Sequence, residues 1–287
     1  MRSPIDNAIE TLLKEKHAAL EKQLETDVLT INGPLIDGLD FLLLQITEQL
    51  AESPDKKDKM SVILITNGGD AITVERIVEI LRKHYKEVNF IIPDRAYSAG
   101  TIFCMSGDKI FMDYYSILGP IDPQVQTKDR KLVAAMGYLD KISELVEKAK
   151  NGQITVPESI ILKEFDLAEL RSYEQARDLT IDLLKKWLVK YKFKDWKIHS
   201  STGAEVTNDD RVKRAEEIAK KLSDSNEWKS HGRPLGIETL RSLKLKIEDY
   251  GENPDFQKLI REYHRIMVDY VQKNEKFNFI QTREFLL

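Results

Sequence analysis

Residues 61–70 read Ser-Val-Ile-Leu-Ile-Thr-Asn-Gly-Gly-Asp, and residues 88–101 read Val-Asn-Phe-Ile-Ile-Pro-Asp-Arg-Ala-Tyr-Ser-Ala-Gly-Thr. Each stretch begins with a mostly apolar run, which is typical of a strand buried on both faces. Glycine or proline then ends the run abruptly. Helical segments follow, from Thr73 in the first case and from Ala99 in the second. The pattern predicts two successive strand-turn-helix units of a parallel sheet, with both turns at the edge where open α/β sheets bind ligands.

The two turns carry groups that suit acyl-transfer chemistry. Gly68 and Gly69 have no Cβ, so their backbone can approach a ligand closely and their N–H groups can point at a developing negative charge. The dipole of the following helix favours the same charge. Ser98 stands at a helix start, where a hydroxyl either caps the helix or serves as a nucleophile. We therefore predict Ser98 as nucleophile, with the amides of Gly68, Gly69 and Ala99 as an oxyanion hole.

Several short motifs resemble the serine dehydrogenase proteinase family of the Clp-protease/crotonase superfamily, which is related to signal peptide peptidase A. They are Asn-Gly-Gly at 67–69, Tyr-Ser-Ala-Gly-Thr at 97–101, Gly-Pro-Ile-Asp-Pro-Gln at 119–124 and Trp-Lys-Ser-His-Gly-Arg-Pro at 228–234. The resemblance covers residues 27–251. It implies a Clp/crotonase-like α/β fold of repeated β-β-α units with a mainly helical C-terminal extension. It also implies a serine peptidase that forms closed oligomers.

A serine hydroxyl needs a base within hydrogen-bond reach to act as a nucleophile. Clp proteases supply a histidine soon after their serine, but residues 121–124 contain none. The resemblance implies two replacements. The first is His231, in a Trp-x-x-His-x-x-Pro motif of the family, with Asp122 as its orienting carboxylate. The second is a lysine, as in the Ser-Lys dyad of signal peptide peptidase A.

The lysines in the appropriate range are Lys141, Lys148 and Lys150. A catalytic lysine must be desolvated to lower its pKa, whereas surface lysines are normally solvated. We rank His231 above Lys141 as the base, with a purely structural role for His231 as the competing interpretation. The five histidines show no metal-ligand spacing, and we expect neither a metal nor a cofactor.

The composition limits the partners and the compartment. Against 48 acidic residues stand 44 basic ones, and the resulting net charge of −4 gives no reason to expect nucleic acid as a partner. The single cysteine, Cys104, excludes an intrachain disulfide and favours a reducing compartment. No apolar run suits a membrane span, and residues 1–16 do not resemble a secretory signal peptide. We therefore expect a cytoplasmic protein.

The chain divides into three predicted parts. Residues 1–26 form an N-terminal amphipathic helix, residues 27–130 the α/β core, and residues 131–287 a helical half that completes the site and the assembly surface. Within this half, residues 185–197 alternate basic and aromatic side chains, which we interpret as a solvated helix end rather than a nucleic-acid surface. The apolar tail, residues 277–287, docks on the chain's own surface or on a neighbouring subunit.

Three hypotheses of function follow. The first is a homo-oligomeric serine peptidase acting on peptides or unfolded proteins. The second is an acyl-CoA enzyme of the crotonase type, in which the same amides would hold a thioester enolate and no nucleophilic serine is needed. The third is a catalytically silent scaffold or peptide-binding protein, which the missing Clp-type histidine motivates.

Overall fold

A computed structural model describes residues 4–126, 132–199 and 202–287. The helices are α1 (Pro4–Leu24), α2 (Leu39–Glu52), α3 (Ala71–His84), α4 (Ala99–Met105), α5 (Ala135–Lys150), α6 (Val156–Glu164), α7 (Leu167–Trp187), α8 (Asn208–Ser223), α9 (Ser225–Trp228), α10 (Ile237–Ser242) and α11 (Pro254–Lys273). The strands are β1 (Asp27–Asn32), β2 (Lys59–Ile65), β3 (Glu87–Ile91), β4 (Arg95–Ala96), β5 (Lys109–Met112), β6 (Ile117–Leu118), β7 (Gln124–Gln126), β8 (Leu132–Ala134), β9 (Glu248–Asp249) and β10 (Phe279–Gln281). A π-helical turn, Leu188–Lys192, continues α7, and a 3-10 turn, Tyr250–Glu252, precedes α11.

The centre of the fold is a six-stranded sheet in the order β10-β1-β2-β3-β5-β9. Strands β1, β2, β3, β5 and β9 run parallel to their neighbours, and only β10 is antiparallel. Both faces of the sheet are covered. Alternate side chains of β2 therefore enter two different cores, Val62 and Leu64 in one and Ile63 and Ile65 in the other. This arrangement confirms the α/β class and explains why the strand is apolar without alternation.

The two predicted strand-turn-helix units are present as β2–α3 and β3–α4. Beyond the end of β3 the chain makes a further short strand, β4, which lies beside Thr66 and pairs with β6. The Thr66 N–H donates to the carbonyl of Arg95 at 2.9 Å, and the Tyr97 N–H donates to the carbonyl of Thr66 at 3.1 Å. These two bonds tie the turn after β2 to the turn that precedes Ser98.

The C-terminal tail docks on its own chain. Strand β10 pairs with β1 at the edge of the main sheet, and Phe279 and Ile280 are buried there. Helix α1 packs on α11 over the face that contains Ile63 and Ile65. The last part of the chain therefore supplies strands to the α/β sheet as well as helices. The predicted boundary between residues 130 and 131 lies outside the described residues.

His17 on α1 makes the fold sensitive to acid. Its side chain is 1% exposed and lies edge-on to Tyr263 of α11. Burial lowers the pKa of His17 from 6.5 to about 4, and the nearby charge of Arg283 acts in the same direction. Between these pH values the unfolded chain binds a proton that the folded protein does not, so stability falls as the pH drops from 6.5 towards 4.

Replacing His17 with leucine should remove this part of the acid sensitivity. We expect the free energy of unfolding of the wild-type protein to lose about 3 kcal/mol more than that of His17→Leu over this pH interval. Urea unfolding at neutral pH and near the lower limit measures both losses. Equal losses in the two proteins would show that His17 does not carry the effect.

Candidate active site

A cavity of about 570 Å³ lies beyond the carboxyl ends of β2 and β3. The turn after β2 contributes Gly69 and Asp70, and the turn before α4 contributes Ser98 and Ala99. Residues of α7, the segment after β6 and the loop after α9 close the other sides; they include Gln175, Leu179, Thr180, Ile121, Pro123 and His231. The cavity is thus built from both halves of the chain.

Ser98 has a backbone conformation that side chains rarely adopt. Its φ is 52° and its ψ is −118°, and such geometry costs about 1–3 kcal/mol unless the surroundings impose it. Hydrogen bonds from the Gly100 N–H to the Tyr97 carbonyl, 2.8 Å, and from the Ile102 N–H to the Ser98 carbonyl, 3.2 Å, hold the turn. The Ser98 side chain makes no capping bond to α4. Its hydroxyl is therefore left for the cavity, and the helix-cap alternative does not apply.

Gly69 and Ala99 both line the cavity, and each carries a backbone N–H group. Within residues 4–126, 132–199 and 202–287, neither N–H group has a hydrogen-bond acceptor. Gly69 also approaches the backbone of Leu35 so closely that a Cβ would overlap the Leu35 carbonyl. This close approach explains why glycine is needed at residue 69.

Gly68 differs from its neighbour in both respects. Its N–H donates to Thr66 Oγ1 at 3.0 Å, and Gly68 does not line the cavity. A Cβ at Gly68, where φ is 109°, would lie 3.0 Å from the Ser98 Cβ. Gly68 thus makes room for Ser98, and of the three predicted amides its N–H is already bonded to Thr66.

His231 lines the cavity and contacts Asp122, which lies 109 residues away in the chain. His231 Nδ1 is 3.0 Å from Asp122 Oδ1, and the side chains are 21% and 2% exposed, respectively. Leu118 and Leu235 exchange two backbone hydrogen bonds, of 3.0 and 2.9 Å, which fasten the His231 loop to the segment that carries Asp122. With Nδ1 bonded to the carboxylate, Nε2 is the ring nitrogen that can exchange a proton with a ligand.

Thr101 joins the helix of Ser98 to the segment of Asp122. Its buried hydroxyl lies 2.8 Å from the Ala96 carbonyl and 2.9 Å from the Gly119 carbonyl, either of which can accept its proton. The same hydroxyl accepts a hydrogen bond from the Gly119 N–H at 3.0 Å. Thr101 belongs to the motif at 97–101, but no role for it was predicted. The sequence signal for such a role is a threonine in the first turn of a small-residue helix.

Replacing Thr101 with valine keeps the side-chain shape and removes these bonds. Since the polar groups left behind are buried, we expect a loss of about 1–3 kcal/mol in the free energy of unfolding. The Thr101→Ser variant retains the hydroxyl and should lose clearly less. Urea unfolding of both variants tests the role, and a valine variant as stable as the serine variant would contradict it.

The three lysine candidates lie on α5, outside the cavity. Lys141 is paired with Glu144 at 2.8 Å and is more than half exposed, beside a separate cleft near Tyr138. Lys148 contacts Glu158 at 2.7 Å and Glu144 at 3.1 Å. Hydrogen bonds to these carboxylates raise the pKa of Lys148, which is opposite to the change that a lysine base requires.

Lys150 pairs with Glu147 at 3.4 Å. Among the described residues, no lysine lines the cavity of Ser98. His231 is the only histidine that lines this cavity in the part of the chain that the structure describes. In the described residues no group of three or more His, Cys, Asp or Glu side chains forms a metal site, and no helix combines the length and apolarity needed to cross a membrane.

The wall contributed by α7 was not predicted. Gln175, Ala176, Leu179 and Thr180 line the cavity, whereas the sequence predicted only that this part of the chain is helical. Nothing in the local sequence marks which turn of a long amphipathic helix covers a site elsewhere in the chain.

Comparison with known proteins finds two relatives of similar sequence. Both are uncharacterized proteins of Methanocaldococcus jannaschii. One is 28% identical over 188 residues, which are 66% of this chain and 51% of the relative, and the other is 26% identical over 212 residues, or 72% and 61%. The chain therefore spans about half to three fifths of the length of these relatives.

The sequence model of the ClpP-like SDH-type serine proteinases matches residues 44–209. This segment is more than half of the chain and contains Gly69, Ser98 and Asp122, whereas His231 follows it. The match confirms the resemblance found in the sequence motifs. Together with the parallel sheet, it shows that the chain belongs to the ClpP-like SDH-type serine proteinase family.

Proposed function

We propose that this protein is a serine peptidase in which Ser98 is the nucleophile, His231 the general base and Asp122 the carboxylate that orients the imidazole. The observation that carries the proposal is that His231 lines the same cavity as Ser98 and contacts the buried Asp122 at 3.0 Å. Family membership supports peptidase chemistry in general. Because His231 lies outside the matched segment, its role is supported by the motif at 228–234 and by its contact with Asp122.

The reaction would proceed by acyl transfer. Ser98 Oγ attacks the carbonyl carbon of the peptide bond while its proton passes to His231 Nε2. The electron pair of the carbonyl moves onto oxygen, where the N–H groups of Gly69 and Ala99 stabilise the charge. The C–N bond then breaks as His231 returns the proton to the leaving amine. Water, deprotonated by His231, hydrolyses the ester on Ser98 and regenerates the hydroxyl.

Asp122 would act through His231. Its carboxylate accepts the Nδ1 proton, which keeps Nε2 free to receive the serine proton. The carboxylate also stabilises the imidazolium that forms in each half of the reaction. Since Asp122 is almost fully buried, water does not compete for its contact with His231.

Covalent labelling tests the nucleophile. A fluorophosphonate phosphonylates an activated serine with loss of fluoride, so the wild-type protein should gain one adduct per chain and the Ser98→Ala variant none. Ser172→Ala, which removes an exposed serine of α7 outside the cavity wall, is the matched control and should be labelled normally. Labelling that persists in Ser98→Ala would refute the assignment.

The two alternative functions, a crotonase-type enzyme and a silent scaffold, make different predictions. For a crotonase-type enzyme we would expect coenzyme A to bind, and calorimetry should detect no such binding. For a silent scaffold we would expect no turnover, whereas Ser98-dependent cleavage of an unstructured protein is expected here. The His231–Asp122 pair has a direct use only in the peptidase hypothesis.

We also propose that the protein acts as a homo-oligomer. None of the α6 residues is buried, and Val156, Ile160, Ile161 and the neighbouring Leu167 are each more than half exposed. Such a cluster of apolar side chains is typical of a contact surface. Light scattering should give a mass above that of one chain, and Ile160→Lys combined with Leu167→Lys should lower it. A wild-type mass of one chain would contradict the proposal.

A further inference from the structure

A second cavity, of about 680 Å³, has a basic wall and shares no lining residue with the cavity of Ser98. It lies between the turn that continues α7, helix α8 and the loop after α10. Its charged wall consists of Lys192, Arg214, Arg241, Lys244 and Lys246, with Asp195 as the carboxylate. Five cations around one cavity repel each other, so a bound anion would relieve an unfavourable field.

Three of these cations have carboxylate partners. The pairs are Arg214 with Glu217 at 2.9 Å, Arg241 with Glu238 at 3.5 Å, and Lys246 with Glu248 at 2.9 Å. In each pair at least one of the two side chains is exposed to solvent, and exposed ion pairs contribute little. Lys192 and Lys244 have no carboxylate within ion-pair distance in the described part of the chain. The positive charge is therefore only partly compensated.

Lys192 is a partly buried lysine of this wall with a poorly hydrogen-bonded ammonium group. It is the last residue of the π-helical turn, and its Nζ reaches the backbone carbonyl of Asp108 only at 3.5 Å. Burial lowers the pKa of Lys192 to about 8, against the opposing charges of Glu248 and Asp108. A ligand anion would offset the desolvation of this group.

We propose that the cavity binds a small anion that carries phosphate groups. Phosphate oxygens accept several charged hydrogen bonds at once, and the wall offers both planar guanidinium groups and compact ammonium groups for them. Trp196 also lines the cavity and stands edge-on to His199, so an aromatic side chain is available beside the phosphate positions. The feature that the cavity would recognise is a polyphosphate chain, which can belong to an inorganic polyphosphate or to a nucleotide.

Residues 185–197, with their alternating basic and aromatic side chains, were predicted to be a solvated helix end. In the structure, Lys192, Phe193, Asp195 and Trp196 form one wall of the cavity, whereas Lys190 and Lys197 are exposed outside it. The same segment therefore contains both the candidate ligand-binding lysine and suitable control lysines.

The test is a titration of sodium tripolyphosphate and of ATP, without divalent metal, followed by calorimetry and by tryptophan fluorescence. We expect saturable binding of at least one of the two at one site per chain, weakened by added salt. The Lys192→Met/Lys244→Asn variant should bind at least about tenfold more weakly, a difference of about 1.4 kcal/mol. The Lys190→Met/Lys197→Asn variant removes the same charge nearby and should bind like the wild type.

Each outcome decides the question. If tripolyphosphate binds, with or without ATP, and the Lys192→Met/Lys244→Asn variant binds more weakly, the cavity recognises the phosphate chain. If only ATP binds and the same variant binds it more weakly, the cavity also contacts the base. No saturable binding of either ligand, or equal affinity in the two variants, would overturn the proposal. Lys244→Asn alone is a second probe, because Lys244 is exposed at φ 64°, which asparagine tolerates. Binding can be measured in Ser98→Ala protein, so its result does not depend on the peptidase proposal.

Discussion

The Ser98→Ala variant is expected to lose peptide hydrolysis by roughly 10⁵- to 10⁶-fold in kcat while keeping its fold. The methyl group that remains cannot attack a carbonyl, so only binding and the oxyanion amides are left to accelerate the reaction. Stability should change little, since the Ser98 hydroxyl makes no capping bond to α4. The measurement is the cleavage rate of an unstructured protein substrate, with circular dichroism as the check on folding.

The Ser98→Cys variant provides a sharper control. It keeps a nucleophilic atom at the same position, and iodoacetamide should alkylate it rapidly. The natural cysteine, Cys104, is buried, and burial raises the pKa of its thiol, so the wild-type protein should react slowly. A Ser98→Ala variant that retains wild-type cleavage, or a Ser98→Cys variant that resists alkylation, would contradict an accessible nucleophile at this position.

The His231→Ala variant is expected to lose about 10⁴- to 10⁶-fold in kcat, because Ser98 would then have no group to take its proton. The double variant Ser98→Ala/His231→Ala should lose no more than either single variant, since the two residues act as one unit. Steady-state kinetics on the same substrate measures both effects.

Lys141→Ala is the matched control for the base. Lys141 lies outside the cavity and pairs with Glu144, so its removal should change kcat by no more than about twofold. The reverse result, with normal activity in His231→Ala and a large loss in Lys141→Ala, would assign the base to the lysine. A wild-type protein that is folded but cleaves nothing would favour the silent scaffold instead.

Much of the fold could be predicted because its signals are local. The apolar run at 61–65 and the glycines that follow it show both the buried strand and its end. Helix α4 begins at Ala99 as predicted. Strand β10 was missed as part of the sheet, because three residues near a terminus carry too little periodicity to show which strand they join.

The candidate site could be predicted less completely. Gly68 and Gly69 look equivalent in the sequence, but only the fold places Gly69 in the cavity wall and uses the Gly68 amide in a bond to Thr66. The hydroxyl of Thr101 and the wall from α7 were not assigned to the site at all. Each of these roles depends on contacts with residues distant in the chain.

The sequence by itself determined the parallel strand-turn-helix units, the position of Ser98 at a helix start and the family to which the motifs point. These properties arise from hydrophobic periodicity, from backbone freedom at glycine and from short motifs, all of which act over a few residues. The resemblance had named His231 and Asp122 as partners, but the tertiary structure decided that they lie 3.0 Å apart, that Lys141 stays in solvent and that five cations surround a second cavity. These outcomes depend on how helices and loops pack across the whole chain, which no local pattern encodes.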